Sequence, residues 1–213
     1  MAETTFSVPD LVRRSFTDAR GAARQVIDLN LPIAALAQAL VLVVIANVLL
    51  EHVAVSMGGG FPTLPEANDP RTEAGYQLVK TFYDNPFYYA LVQACLLGIT
   101  VFAIHVIGRA FDGVGRLEDA LGVIVWFQVL LIIMQALQAV TDLILPPLTV
   151  FVSFATVILF FYWLTQFVME VHSFDSALSV LTMIIVSTIG ILIAVSLVLA
   201  ILGVTMIGDV PNV

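Results

Sequence analysis

His105-Val-Ile-Gly108-Arg109-Ala-Phe-Asp112-Gly113-Val-Gly115-Arg116-Leu-Glu118-Asp119-Ala-Leu121 separates two long apolar runs, and its reading decides how the chain folds. The glycines at 108, 113 and 115 let the backbone turn sharply. Arg109 and Arg116 hold that turn at a membrane face, where a buried guanidinium would be costly. Glu118 and Asp119 then open the next helix at the positive end of its dipole. A turn of this kind fixes which way the flanking runs thread a bilayer.

Composition points the same way. Of 213 residues, 60% are hydrophobic and only 11% charged, with a mean hydropathy of +1.03. Soluble domains carry about 25% charged residues, and a core of this size cannot hide so much apolar side chain, so lipid must cover the rest. The single cysteine, Cys95, excludes an internal disulfide and lies mid-run, where it reads as a small packing residue. A net charge of −8 suits neither nucleic-acid binding nor a polybasic lipid anchor. Seven arginines against one lysine, with Ala, Val and Leu dominating, match a GC-rich bacterial genome.

Working outward, residues 1–30 form a polar segment and 31–213 a five-span domain. Val12, Phe16, Ala19, Ala23 and Val26 recur at helical spacing, with Arg13, Arg14, Arg20 and Arg24 on other faces. That pattern predicts an amphipathic helix lying in the headgroup plane. A secretory signal is not expected, because about 30 residues precede the first apolar run whereas a signal's apolar core comes early and spans about 7–15. The spans fall at about 31–50, 87–107, 117–140, 148–169 and 177–203. Twenty residues at about 1.5 Å each cover the ~30 Å hydrocarbon layer. Ala35/Ala39, Ala90/Ala94/Gly98 and Gly190/Ala194 are small residues four apart, which let helices approach closely. Gly58-Gly59-Gly60, Pro62 and Pro65 make an irregular loop, a short helix is expected at 72–83, and Phe82, Tyr83, Phe87, Tyr88 and Tyr89 form an aromatic belt. The predicted fold is therefore all-α, a five-helix transmembrane bundle with an amino-terminal interfacial helix.

Orientation follows from the arginines. With the amino terminus inside, six of the eight basic residues are cytoplasmic and only Arg71 and Lys80 lie outside. The carboxyl terminus is then expected in the periplasm of a bacterium, the protein being multi-pass in the inner membrane.

The stretch from His105 to Leu121 resembles the glycine-rich turn of the YIP family (Ypt-interacting-protein, or Yip domain), in which one helix ends in a glycine cluster and the next begins with a polar start. The resemblance extends from Ser7 to the end, through a polar amino-terminal segment, five spans and a short tail. It implies a multi-spanning fold with a cytoplasmic amino end. Two departures stand out. Asp112 occupies a position where the family commonly has a second adjacent glycine, and the Asp-Leu-Tyr-Gly-Pro motif of eukaryotic members is lacking, so a Rab-type GTPase is not the expected partner.

Polar residues inside spans are the usual pointers to function. Gln128, Gln135, Gln138 and Asp142 fall within about 80° of arc on the third span. They suit either a water-lined groove or, more commonly, interhelical hydrogen bonds. His105 and His172 share a depth at the inner side and His52 lies at the other, yet no paired His or Cys cluster supports haem or metal. His-Glu-x-x-His, Gly-x-Ser-x-Gly and Gly-x-x-x-x-Gly-Lys are all lacking. Catalytic, cofactor and metal residues are therefore expected to be none. The expected role is non-enzymatic binding of membrane lipids and other integral membrane proteins, or of a larger membrane complex. The residues expected to make those contacts are Arg13, Arg14, Arg20, Arg24, Arg109, Arg116 and Glu118. The alternative is a small transporter or lipid-moving protein using the glutamine stripe.

Overall fold

The computed structural model describes residues 7–58, 76–77, 80–81 and 83–201. Two short helices, α1 (Val8–Thr17) and α2 (Ala19–Asp28), precede five long ones: α3 (Ile33–Met57), α4 (Pro86–Ala110), α5 (Leu117–Ile144), α6 (Pro146–His172) and α7 (Ala177–Ile201). No strand occurs among the described residues. All five long helices are long and apolar enough to cross a membrane. Arg71, Phe82, Pro62, Pro65 and the tail from Gly208 fall outside the described residues.

Each long helix starts where local chemistry dictates. Pro32 precedes α3, Pro86 opens α4 and Pro146-Pro147 open α6, where a missing N–H costs nothing. The Asn85 side chain accepts from the Tyr88 amide at 3.1 Å, capping α4. At the start of α5 the Asp119 carboxylate accepts the Arg116 amide at 3.2 Å, so the acidic pair serves as a cap. The first span runs past the expected Leu50 to Met57, because Glu51 and His52 find partners on neighbouring elements.

α5 is the central helix, packing on α3, α4 and α6, while α7 rests mainly on α6 at the edge. Its inner half is buried from Ala120 to Leu130 against Leu36, Val44, Val101, Phe167 and Val168. Phe127 meets Phe160 and Phe167 edge-on at 5.1 and 6.3 Å. In lipid such packing, rather than water exclusion, holds helices together.

The amino-terminal segment is helical and amphipathic, but it is two helices broken at Asp18, and its inner face meets protein. The broken helix lies across one end of the bundle, against α5 and α6. Leu11, Ser15, Ala19, Ala22 and Ala23 are its buried residues; Ala19 and Ala23 belong to the expected stripe, while in α1 the buried face is one residue before Val12 and Phe16. Asp18 explains the break. Its carboxylate accepts the Gly21 amide at 2.9 Å and so begins α2 afresh. That amide, aided by Arg14 and opposed by burial, holds the Asp18 carboxyl below its ordinary range.

Ending α1 at Thr17 leaves carbonyls without helical partners. The Ser15 carbonyl takes the Trp163 indole N–H at 2.8 Å, and the Ser15 hydroxyl takes the Trp126 indole N–H at 3.0 Å. That hydroxyl in turn donates to the Leu11 carbonyl at 2.9 Å. Phe16 lies edge-on to Trp163 at 5.1 Å. The two tryptophans that grip Ser15 are the only two in the chain. Tryptophan emission therefore reports docking of the hairpin directly. Ser15→Leu should move the emission to longer wavelength while leaving the far-ultraviolet helical signal of the bundle in place; an unshifted spectrum would mean that the hairpin is held independently of Ser15.

Candidate functional site

The glycine-rich turn and the end of α6 form one polar junction beneath the hairpin. α4 ends with the Gly113 amide bonded to the Gly108 carbonyl at 2.9 Å and the Asp112 amide to that of Arg109 at 3.2 Å. Those two bonds make a Schellman turn, whose penultimate residue adopts the left-handed conformation. Here it is Asp112, with φ 64°. α6 ends in the same way. The Phe174 amide bonds Met169 at 2.9 Å, Ser173 bonds Glu170 at 3.4 Å, and Ser173 has φ 57°.

Between these two turns lies the imidazole of His172, which is 2% exposed. Its Nδ1 accepts the Gly115 amide at 3.3 Å, while Nε2 lies 3.1 Å from the Ile104 carbonyl and must donate to it. One nitrogen accepts and the other donates, which defines the neutral ring with its proton on Nε2. Phe174 stacks on the ring at 5.5 Å. A Cβ added at Gly108, Gly113 or Gly115 would come under 3.0 Å from His172 atoms in every case. These glycines therefore do more than bend the chain; their missing side chains leave the slot that the imidazole fills. With both ring nitrogens taken, His172 offers no lone pair to a metal. The described residues contain no group of three or more metal-ligating side chains. His105 is partly buried on α4 with Nδ1 unpartnered, and His52 bridges the Val48 and Tyr83 carbonyls at the opposite end of the bundle.

One turn before His172's cap, Glu170 faces α2. Arg20 Nε donates to one carboxylate oxygen at 2.8 Å and Arg24 Nε to the other at 2.6 Å. The carboxylate raises the affinity of the Arg24 guanidinium for its proton, chiefly through that hydrogen bond. The Glu170 side chain is only 10% exposed, against 33% for Arg20 and 64% for Arg24. A carboxylate this sheltered needs its partners, and removing one costs more than forming a surface pair returns. Arg20 and Arg24 thus bolt the hairpin to α6. With its two oxygens taken by Arg20 and Arg24, Glu170 makes no ion pair with Arg109 or Arg116.

The remaining expected residues are placed as follows. Arg14 pairs with Asp18 at 3.2 Å, and Arg116 with Glu118 at 3.5 Å. Arg13 and Arg109 are exposed and make no ion pair among the described residues. On α5, Gln128 is buried, the Gln135 amide donates to Glu51 on α3, and that of Gln138 to Thr156 on α6 at 2.8 Å. Asp142 is exposed at the far end. Ser15, Trp126, Trp163 and the Glu170 clamp were missed in the sequence. The one available signal was that two indoles in apolar spans each require an acceptor.

The cradle yields a graded test by thermal unfolding in detergent. Gly113→Ala and Gly115→Ala should each destabilise by about 1–3 kcal/mol through overpacking. Gly98→Ala and Gly190→Ala, where a Cβ meets nothing within 4 Å, should be tolerated. Asp112→Gly should raise stability by up to about 1 kcal/mol, since glycine adopts positive φ freely. Arg20→Ala should loosen the hairpin, read by tryptophan emission, more than Arg24→Ala does. Equal effects at all four glycines would discard the cradle.

The model of the Yip1 domain family matches residues 13–198, from inside α1 to near the end of α7. No curated protein and no solved structure matches the chain. The matched range takes in Ser15, α2, the glycine cradle, His172 and Glu170 together, and the chain belongs to the Yip1 domain family.

Proposed function

We propose that this Yip1-family membrane protein is non-enzymatic and acts by binding other membrane proteins or lipids, as an accessory or organising subunit. The observation that carries this reading is the bolted hairpin. Arg20 and Arg24 are spent on Glu170, which ties α2 to α6 at the end of the bundle that also carries the hydrogen-bonded 111–116 turn. Arg13 and Arg109 remain on this platform without an ion pair among the described residues, flanked by Arg14 and the Arg116–Glu118 pair. Preorganised charge of this sort favours association because little side-chain and loop ordering remains to be done on binding.

On this reading the platform faces the cytoplasm, since it gathers six of the eight basic residues. The carboxyl terminus then lies across the membrane, the periplasm if the host is a bacterium. For the alternative, a small transporter with a polar groove on α5, the side chains offer less. Gln135 and Gln138 give amide protons to Glu51 and Thr156, which supports their use as fasteners between helices.

A photoactivatable amino acid at position 13 or 109, in native membranes, should give discrete adducts with a membrane protein. Arg13→Glu combined with Arg109→Glu should abolish co-purification in mild detergent. A protein that yields no adduct and purifies as a bare monomer would sink the docking reading. Reporters fused at residue 1 and residue 213 should respond from opposite compartments.

A further inference from the structure

We infer that the cleft between α4 and α7 holds one acyl chain of a phospholipid with an amine-bearing headgroup. α7 rests on α6 and leaves a gap facing α4, which two adjoining hollows occupy. The outer one, about 810 Å³, runs from Phe111, Phe174 and Asp175 along α7 to Ser187. The inner one, about 260 Å³, continues between Ile104 of α4, Val168 of α6 and Leu192 of α7. Both are lined by Met183 and Ser187, so they adjoin. From Leu178 to Leu192 the two together extend about 21 Å along the helix axis at about 1.5 Å per residue. A lipid tail of one leaflet reaches about half of the ~30 Å hydrocarbon layer, and the cleft is long enough to take it.

The walls distinguish a lipid tail from a partner helix. A helix with side chains is about 10–12 Å across, whereas the inner hollow holds only about 260 Å³. Close helix docking also uses small residues; here Ala103 and Ser187 stand among Ile99, Ile104, Ile107, Ile191 and Leu192, whose bulk narrows the inner hollow. Gly98 and Gly190 lie off its walls. The hydroxyls along it are largely turned inward: Thr100, Thr182 and Thr188 bond their own helix carbonyls at 2.7–2.9 Å, leaving an apolar lining. At the mouth the sole charged residue lining either hollow is Asp175, beside Ser176 and Ser179, and no basic side chain lines them among the described residues. A lone carboxylate complements an ammonium and repels an anionic headgroup.

This inference uses none of the platform arginines, so its failure and that of the docking reading are separate outcomes. The full-length protein in vesicles should be irradiated with phosphatidylethanolamine carrying a diazirine in its acyl chain. Adducts should concentrate at 96–107 and 183–192. Ile104→Phe or Ser187→Phe should cut labelling at least about fivefold, while Leu42→Phe on the exposed face of α3 leaves it unchanged. Asp175→Asn should erase a roughly fivefold preference over the phosphatidylglycerol analogue, the size expected of one charge at a membrane surface. Mapping on the unsubstituted protein stands even where a variant fails to fold. Adducts spread over α3, α4 and α7 in proportion to exposure (annular lipid only), equal labelling by both headgroups, or a protein helix crosslinked within the cleft would each overturn the inference.

Discussion

The imidazole of His172 occupies a slot lined by glycine backbone, and the arrangement of the bundle's capped end depends on that fit. Gly108 belongs to α4, Gly113 and Gly115 to the turn before α5, and His172 is the last residue of α6. One ring therefore sets the relative height of three helices. It does so with both nitrogens satisfied, Gly115 donating and Ile104 accepting, which matters where water is scarce and a lone buried polar atom is expensive. The two Schellman turns on either side close the carbonyls that the helix ends would otherwise leave open.

From that fixed end the hairpin follows. Glu170 sits two residues before His172, so the cradle that positions the ring also positions the carboxylate toward α2. The indoles of Trp126 and Trp163 converge on Ser15 from two different spans, and both N–H groups meet one residue at the point where α1 is broken. Two of the polar groups that might have suggested a substrate path, Gln135 and Gln138, donate to Glu51 and Thr156 on neighbouring helices. What carries no ion pair on the platform, among the described residues, is Arg13 and Arg109 together with the exposed carboxylates of Asp10, Asp28 and Asp112, and what remains open in the bundle is the apolar cleft beside α7.

Much of this was legible from residue order. Five runs of apolar residues place the start of each long helix to within two residues, because helix length and bilayer thickness must agree, while the first of these helices continues seven residues past its expected end. The glycine turn was recognisable as a junction and as a family likeness. Asp112, which departs from the family's glycine, has positive φ in the fold, a strain visible only once the backbone is traced. The amino-terminal stripe was correctly amphipathic, with Ala19 and Ala23 of α2 buried as expected, but in α1 the buried positions are Leu11 and Ser15, one residue before Val12 and Phe16. A helical wheel assumes one continuous helix, and the break at Asp18 resets the register.

By itself the sequence determined that this is an all-helical membrane bundle with an arginine-bearing turn, since hydropathy, length and punctuation are local properties that no tertiary contact can reverse. Only the tertiary structure decided what the polar residues are for. Ser15 meets Trp126 and Trp163 across 111 and 148 residues, Glu170 meets Arg20 across 150, and His172 meets Gly115 across 57. Partners so far apart in the chain leave no periodicity to read. They are chosen by which helix ends share a depth and which side chains are small enough to let a ring or a carboxylate pass.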